Sequence, residues 1–414
     1  MRRVMLAMVV LVLALGITAS TATAETGITA KNVAIGGTFP LSGPASAYGI
    51  IPVAMKAYFS YINARKGADG KRGVLGRQIS FTYLDDGYNP ANSVQLTRQL
   101  VEQNKVFAVV GSLGTEVNLA IRPYLNSKKV PQLLNASGAT TWGRDWKQYP
   151  WTTGWQPDYE LEGRTYGQSI ARNSPNAKIA VLYQNDDYGK DYLRGLEAGL
   201  GAKKSNIAGK EAYEVSAPDV KSQMAKLRAT GASVFVILAT PKFTGQAYVF
   251  ARLLGWAPSV IYTNSVSGTA TILGAVQKAA GALVNNTFTV SYAKDPANSK
   301  WDGDASMKLY RDVMTKYYPN GSSPAVQNNA LNFYGVAVAQ AFVQLLEKAG
   351  PNPTRAGIVK AFRTWNQVNP FLLPGNPQKT GIGNQFPIGC EQIVKFTDGT
   401  LNPVSGLKCS KSDV

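Results

Sequence analysis

Two acidic pairs, Asp85-Asp86 and Asp186-Asp187, are the first residues in this chain of 414 whose spacing suggests chemistry. Adjacent carboxylates can ligate a metal or divide acid–base work. Both pairs, however, directly follow an apolar run and precede a helical pattern, where side-chain caps belong, so they are read as caps. Histidine is absent. That excludes Ser-His-Asp and Cys-His catalysis and every histidine metal site. Cys390 and Cys409 are the two cysteines, too few for a thiolate zinc cluster. The G-x-S-x-G elbow and the glycine spacings that cradle nucleotide phosphates are missing as well. No catalytic residue, metal ligand or cofactor is therefore assigned, and a hydrolase or transferase is disfavoured. What remains is the passage from Val33 to Gly49. There an apolar strand ends in Pro40-Leu41-Ser42-Gly43-Pro44, and a helical period follows. Open α/β sheets bind ligands at such strand ends, where turns and helix N-termini expose N–H groups. A small-molecule site is implied.

The elements needed to hold that site alternate along the chain. Strands are expected at Val33–Phe39, Gln78–Leu84, Val106–Gly111 and Pro131–Leu134. Helices are expected near Gly49–Arg65, Asn89–Gln103 and Thr115–Ser127. Residues 135–156 break the rhythm with turn formers and tryptophans. A second series follows, with strands at Lys178–Tyr183, Lys210–Val215, Ser233–Ala239, Val260–Thr263 and Leu283–Val290. Its helices lie near Tyr159–Arg172, Gly189–Leu200, Asp219–Thr230, Thr244–Leu254 and Thr269–Ala279. The class is α/β: two lobes, each a parallel sheet covered by helices. Beyond residue 295 come helices at Ser306–Tyr318, Asn329–Lys348 and Pro353–Thr364. A Pro/Gly/Asn-rich connection over 366–389 and a terminal hairpin around Asp398-Gly399 complete the chain.

Residues 1–24 read as a secretion signal. Arg2 and Arg3 precede the apolar run Val4–Ile17, and Ala22-Thr23-Ala24 fits a cleavage site, so the mature chain begins near Glu25. The alternative is an uncleaved anchor. In an oxidising compartment Cys390 and Cys409 are expected to pair; two buried thiols are the alternative. The net charge of +18 comes from scattered lysines and arginines. No run resembles a nucleic-acid patch, so nucleic acid is not an expected partner. The charge is either a solvated surface or a field that steers anionic solutes.

Several motifs occur in order: Pro40-Leu41-Ser42-Gly43-Pro44 with Tyr48-Gly49, Ile62-Asn63-Ala64, Gly73-Val74-Leu75-Gly76-Arg77, Asp85-Asp86 with Pro90, and Val109-Val110-Gly111. Val181-Leu182-Tyr183 with Asp186-Asp187-Tyr188-Gly189, and the stretch Leu227–Gly231, continue the series. Together they resemble the periplasmic solute-binding proteins of branched-chain amino acid ABC transporters, over about residues 31–350. The resemblance implies the type I periplasmic binding fold, two Rossmann-like lobes joined by a three-segment hinge that closes on a solute. One lobe would comprise 25–155 with 290–370, the other 156–289 with 371–414. The partners implied are a small organic acid or amino acid and the membrane subunits of an ABC permease. A sensory module presenting its solute to a receptor is the alternative.

The resemblance also implies site residues. Leu113, Gly114 and Thr115 fit a loop that grips a carboxylate by hydroxyl and backbone N–H groups; Thr115 as a plain helix cap is the alternative. Ser137, Gly138, Ala139 and Thr140 fit a second such loop, or an ordinary polar one. Tyr188 and Tyr48 match aromatics that cover the solute, or are plain packing. Trp155 and Gln156 are expected at the cleft and Trp146 and Trp151 in hinge packing. Thr240, Asn264 and Ser265 are expected to close from the second lobe. Amino-acid binders of this type hold the ammonium with a carboxylate near the last pair. Tyr262–Ser267 has none, and a buried ammonium without a counter-charge is costly. An aromatic or hydrophobic acid without an amino group is thus a candidate beside the amino acids.

Overall fold

A computed structural model describes residues 25–67 and 69–410; the expected leader and its cleavage site lie outside them. The first sheet is parallel, in the order β2-β1-β3-β4-β5. Its strands are β1 (Asn32–Phe39), β2 (Gln78–Asp85), β3 (Ala108–Val110), β4 (Gln132–Asn135) and β5 (Thr152–Gly154). The sequence reading missed β5, because the tryptophans and turn formers around it hide a three-residue strand. Between them run α1 (Ile51–Ala64), α2 (Pro90–Glu102), α3 (Thr115–Ser127) and the short α4 (Thr141–Arg144).

The second sheet runs β14-β13-β10-β9-β8-β6-β7, with β15 on β13. Its parallel strands are β6 (Ile179–Gln184), β7 (Ile207–Tyr213), β8 (Val234–Leu238), β9 (Val260–Thr263) and β10 (Thr287–Ser291). The helices α5 (Tyr159–Asn173), α6 (Asp187–Leu200), α7 (Lys221–Ala229), α8 (Pro241–Leu253) and α9 (Ala270–Ala280) cover it. Next come α10 (Ala305–Tyr317), α11 (Pro324–Gln327), α12 (Ala330–Ala349) and α13 (Arg355–Arg363). A two-stranded ribbon follows, β11 (Asn366–Gln367) with β12 (Gln378–Lys379). Last are the antiparallel β13 (Cys390–Thr397), β14 (Thr400–Pro403) and β15 (Lys408–Cys409), and a Cys390–Cys409 disulfide ties β13 to β15. The chain thus passes between the sheets three times.

Packing explains why the late helices return to the first sheet. Met307, Tyr310, Val336, Phe342 and Phe362 join the core built on Val33, Ile35 and Phe59. A Cβ on Gly335 of α12 would stand 2.5 Å from the Ile51 carbonyl, so α12 and α1 meet at backbone distance. In the second lobe α5 and α6 do the same through Gly163, Gly167, Gly195 and Gly199. That contact fixes Glu162 on α5 and Tyr188 and Tyr192 on α6.

The acidic pairs divide. Asp186 caps α6, accepting from Gly189 N at 3.1 Å. The cap of α2 is Asn89. Asp85 instead receives the Leu41 and Ser42 N–H groups at 2.9 and 3.1 Å, clamping the Pro/Ser/Gly turn to the end of β2. Asp86 receives Tyr88 N at 2.9 Å and Ser93 Oγ at 2.8 Å.

Candidate functional site

A cavity lies between the carboxyl ends of the two sheets, with an atom-free space of about 1020 Å³ including its mouth, the scale of a small-molecule site. Tyr48 follows β1, Tyr88 follows β2, Leu113, Gly114 and Thr115 follow β3, Ala136 follows β4, and Trp155 and Gln156 follow β5. From the second lobe Tyr188 follows β6, Thr240 follows β8, and Ser265 and Val266 follow β9. Hydrogen bonds bridge the lobes around it. Tyr48 donates to Val266 O at 3.1 Å, Asp187 N to Glu116 Oε1 at 3.3 Å, and Thr271 Oγ1 to Asn328 O at 3.2 Å.

Thr115 is the first residue of α3. The cap position is held by Gly114, which has no side chain to cap with, so Thr115 does not act as the helix cap. The first N–H groups of α3 have no acceptor within the helix, and the dipole's positive end lies there. Ser137 decides what the Thr115 hydroxyl does. Ser137 Oγ receives the N–H of Ala139 at 3.2 Å and Nε1 of Trp142 at 3.2 Å. Trp142 Nε1 is shared with Ser137 O at 3.1 Å, and Ser137 Oγ shares a hydrogen bond with Thr115 Oγ1, 2.8 Å away. With Ser137 as the donor in that bond, the Thr115 proton is free for the cavity.

The rest of the second loop works behind the wall. Thr140 Oγ1 donates to Asp158 Oδ1 at 2.6 Å and its N–H to Asp191 Oδ2 at 2.8 Å. A Cβ on Gly138 would stand 2.1 Å from Pro157 O. Ser137, Gly138, Ala139 and Thr140 are buried next to the cavity but do not line it. Asn264 is also behind the surface. With its amide oxygen toward the Tyr188 hydroxyl, it donates to Ala239 O at 3.1 Å and so links the ends of β8 and β9.

Ser265 differs from the sequence expectation in one respect. The acid that Tyr262–Ser267 lacks arrives from α5. Glu162 Oε1 accepts from Ser265 N and Oε2 from Ser265 Oγ, both at 2.7 Å, and the carboxylate also receives the Tyr166 and Tyr192 hydroxyls. With its proton committed to Glu162, Ser265 turns only lone pairs toward the cavity.

Rings make most of the remaining wall. Trp155 is fully buried, with Nε1 on Gln378 Oε1 at 2.8 Å, and packs edge-on to Tyr334. Tyr334 donates to Gln156 Oε1 at 3.0 Å, and Gln156 Nε2 donates to Tyr159 at 3.1 Å. Burial raises the pKa of Tyr48, Tyr88 and Tyr188 well above the usual phenol value; all three stay neutral.

Sequence reasoning missed Tyr88, Tyr159, Tyr292, Phe333 and Tyr334. Tyr88 had a signal, since it follows β2 at the same sheet edge. It also holds a left-handed φ of +61°, uncommon for a bulky side chain. Gly114 makes room for it, because a Cβ there would meet the Tyr88 ring at 2.5 Å. Phe333 and Tyr334 come from α12, far along the chain, and gave no local signal. Among the described residues no helix is long and apolar enough to cross a membrane.

The family model described as periplasmic binding protein matches residues 32–400. The Leu/Ile/Val-binding protein homolog 2 of Brucella abortus (strain 2308) is 25% identical over 337 residues, covering 79% of this chain and 81% of that protein. Among solved structures, a fatty acid ABC transporter substrate-binding protein from Thermomonospora curvata superposes with a TM-score of 0.77 at 21% identity, covering 94% and 95% of the two chains. A branched chain amino acid ABC transporter protein from Thermus thermophilus, with bound valine, also reaches 0.77, at 16% identity and 92% and 97% coverage. Two α/β lobes around a cleft built for binding, together with these matches, place the chain in the type I periplasmic binding proteins of the branched-chain amino acid transporter type, a family of solute binders and not of enzymes.

Proposed function

We propose that this protein captures a small carboxylate-bearing solute with a hydrophobic body, aliphatic or aromatic, by hinge closure, and hands it to the membrane subunits of an ABC permease. The observation that carries the reading is the Thr115 hydroxyl. It is hydrogen-bonded to Ser137 Oγ at 2.8 Å, an arrangement that lets it donate into the cavity when Ser137 donates to it, and it stands at the uncapped N-terminus of a helix of 13 residues, beside a wall of aromatic rings. Donors and a positive dipole end suit an anion; the rings suit an apolar body.

The chain would first meet its solute on one lobe and then close. Tyr48, reaching from one lobe to Val266 on the other, would help hold the closed form. Closure proceeds only as far as the solute binds the closed state more tightly than the open one. The neighbours named for fatty acids and for bound valine support a carboxylate on an apolar body.

A thermal-shift screen of the mature protein against amino acids, aliphatic acids and aromatic acids tests this. A true solute at a hundred times its dissociation constant stabilises by about 2.7 kcal/mol. A shift with neutral or cationic solutes alone would contradict the proposal.

A further inference from the structure

The cavity is longer than the site read from the sequence. Its lining continues past Tyr188, Thr240 and Ser265 to Lys294, Asp295 and Leu401. Thr115 lies toward the β6 side, because neighbouring Glu116 receives the N–H of Asp187, just beyond β6. Asp295 lies toward the other side. Asn298, three residues on, donates Nδ2 to Leu401 O at 3.0 Å, and Leu401 is on β14, farther from β6 than β10 is. Three strand intervals separate β6 from β10, which is roughly 14 Å.

One oxygen of Asp295 has no hydrogen-bond partner among the described residues, although the Lys300 charge acts on the carboxyl. Oδ1 receives the Ala297 N–H at 3.0 Å. Oδ2 is shielded from water and has no hydrogen-bond partner among the described residues. Lys294 does not answer it. Its ammonium is held by Asp304 Oδ2 at 2.7 Å and Ser306 Oγ at 2.9 Å, over the Trp301 ring. Burial pushes the Asp295 carboxyl up to about 6. A buried carboxylate oxygen without a donor is costly, and such groups in folded proteins nearly always find one.

We propose that Asp295 is a second anchor, selecting solutes that carry a hydrogen-bond donor, an amine or a hydroxyl, at the end remote from the carboxylate. The inference rests on the carboxylate reading above. An α-amino group sits one carbon from the carboxylate and cannot span the distance. An ω-amino or para-hydroxyaryl acid can, with its apolar body against Tyr292, Phe333 and Tyr334.

The test is calorimetric titration with two matched pairs: phenylpropionate against its para-hydroxy analogue, and heptanoate against its ω-amino analogue. The donor-tipped member of at least one pair should bind about tenfold to a hundredfold more tightly, the range of a hydrogen bond to a buried charge. Asp295→Asn keeps an oxygen for the Ala297 N–H but puts an amide donor where Oδ2 stood. In that variant the ratio within the pair should fall to about one or invert. The melting temperature of the solute-free variant checks that it folds. Equal binding within both pairs, or a preference that survives Asp295→Asn, overturns the role of Asp295 and leaves the carboxylate reading standing. If no acid of either pair binds, the carboxylate reading fails, and this proposal with it.

Discussion

Replacing Thr115 by Val keeps the shape of the side chain and deletes its hydroxyl. Two separate losses follow. The solute loses a donor to its charged head group, about 1.5–3 kcal/mol, which is roughly 10- to 150-fold in affinity. Ser137, whose oxygen already receives Ala139 N and Trp142 Nε1, loses its 2.8 Å hydroxyl partner. An unmet buried donor costs about 1–3 kcal/mol of stability. Ser137→Ala should weaken binding less, because the Thr115 proton still reaches the cavity, only less well directed. The relay predicts that the double variant loses less affinity than the sum of the two singles, since Ser137 has nothing to orient once Thr115 is gone. Calorimetric titration gives the affinities and denaturant melts give the stabilities. If Thr115→Val lowers stability but leaves affinity within twofold, the hydroxyl is scaffold and the relay argument is wrong.

Other outcomes follow from the same geometry. Tyr48→Phe removes the bridge to Val266 and should weaken solute binding by about 0.5–1.5 kcal/mol; an unchanged dissociation constant would show that the bridge adds nothing to closure. Gly114→Ala places a methyl group against the Tyr88 ring at a φ of +108°, so binding should fall with about 1–3 kcal/mol of backbone strain; wild-type affinity and melting temperature would contradict it. Reducing Cys390–Cys409, 19 residues apart, should cost about 3 kcal/mol by the loop-entropy model, read as a lower melting temperature in reductant. Burial raises the carboxyls of Asp186 to about 6, Asp191 to about 7 and, together with the charge of Glu162, Glu391 upward too. Raised acids contribute stability that is complete below their unfolded values and is lost as pH climbs through the folded ones, by up to about 1.4 kcal/mol per pH unit for each group. The melting temperature should therefore fall between about pH 5 and 8, and Glu391→Gln should flatten the decline; a rise over that range would refute the assignment.

The fold was legible because its signals are local. Apolar strands alternate with amphipathic helices, and Pro90, Asp186 and Gly49 mark where periods change. The family resemblance implied Tyr48, Thr115, Tyr188, Thr240 and Ser265, all of which line the cavity. The same resemblance assigned Ser137 and Asn264 to the solute. Their hydrogen bonds are spent holding Thr115, Tyr188 and Ala239, which only three-dimensional contacts reveal. Glu162 was invisible as a site residue for a similar reason: about a hundred residues separate it from Ser265, and only the close packing of α5 on α6 sets it there. Asp295 lies in a crossing segment with no motif, so its unpaired oxygen became apparent only once the cavity was traced.

One titration bears most directly on the central claim. A hydrophobic acid that shifts the melt should be compared with its own neutral amide, which keeps body and shape but carries no charge on the head group. The account predicts that the acid binds at least tenfold more tightly and that small-angle scattering contracts with the acid alone. Equal affinity for the amide, or binding without contraction, would contradict a cleft that closes on an anion.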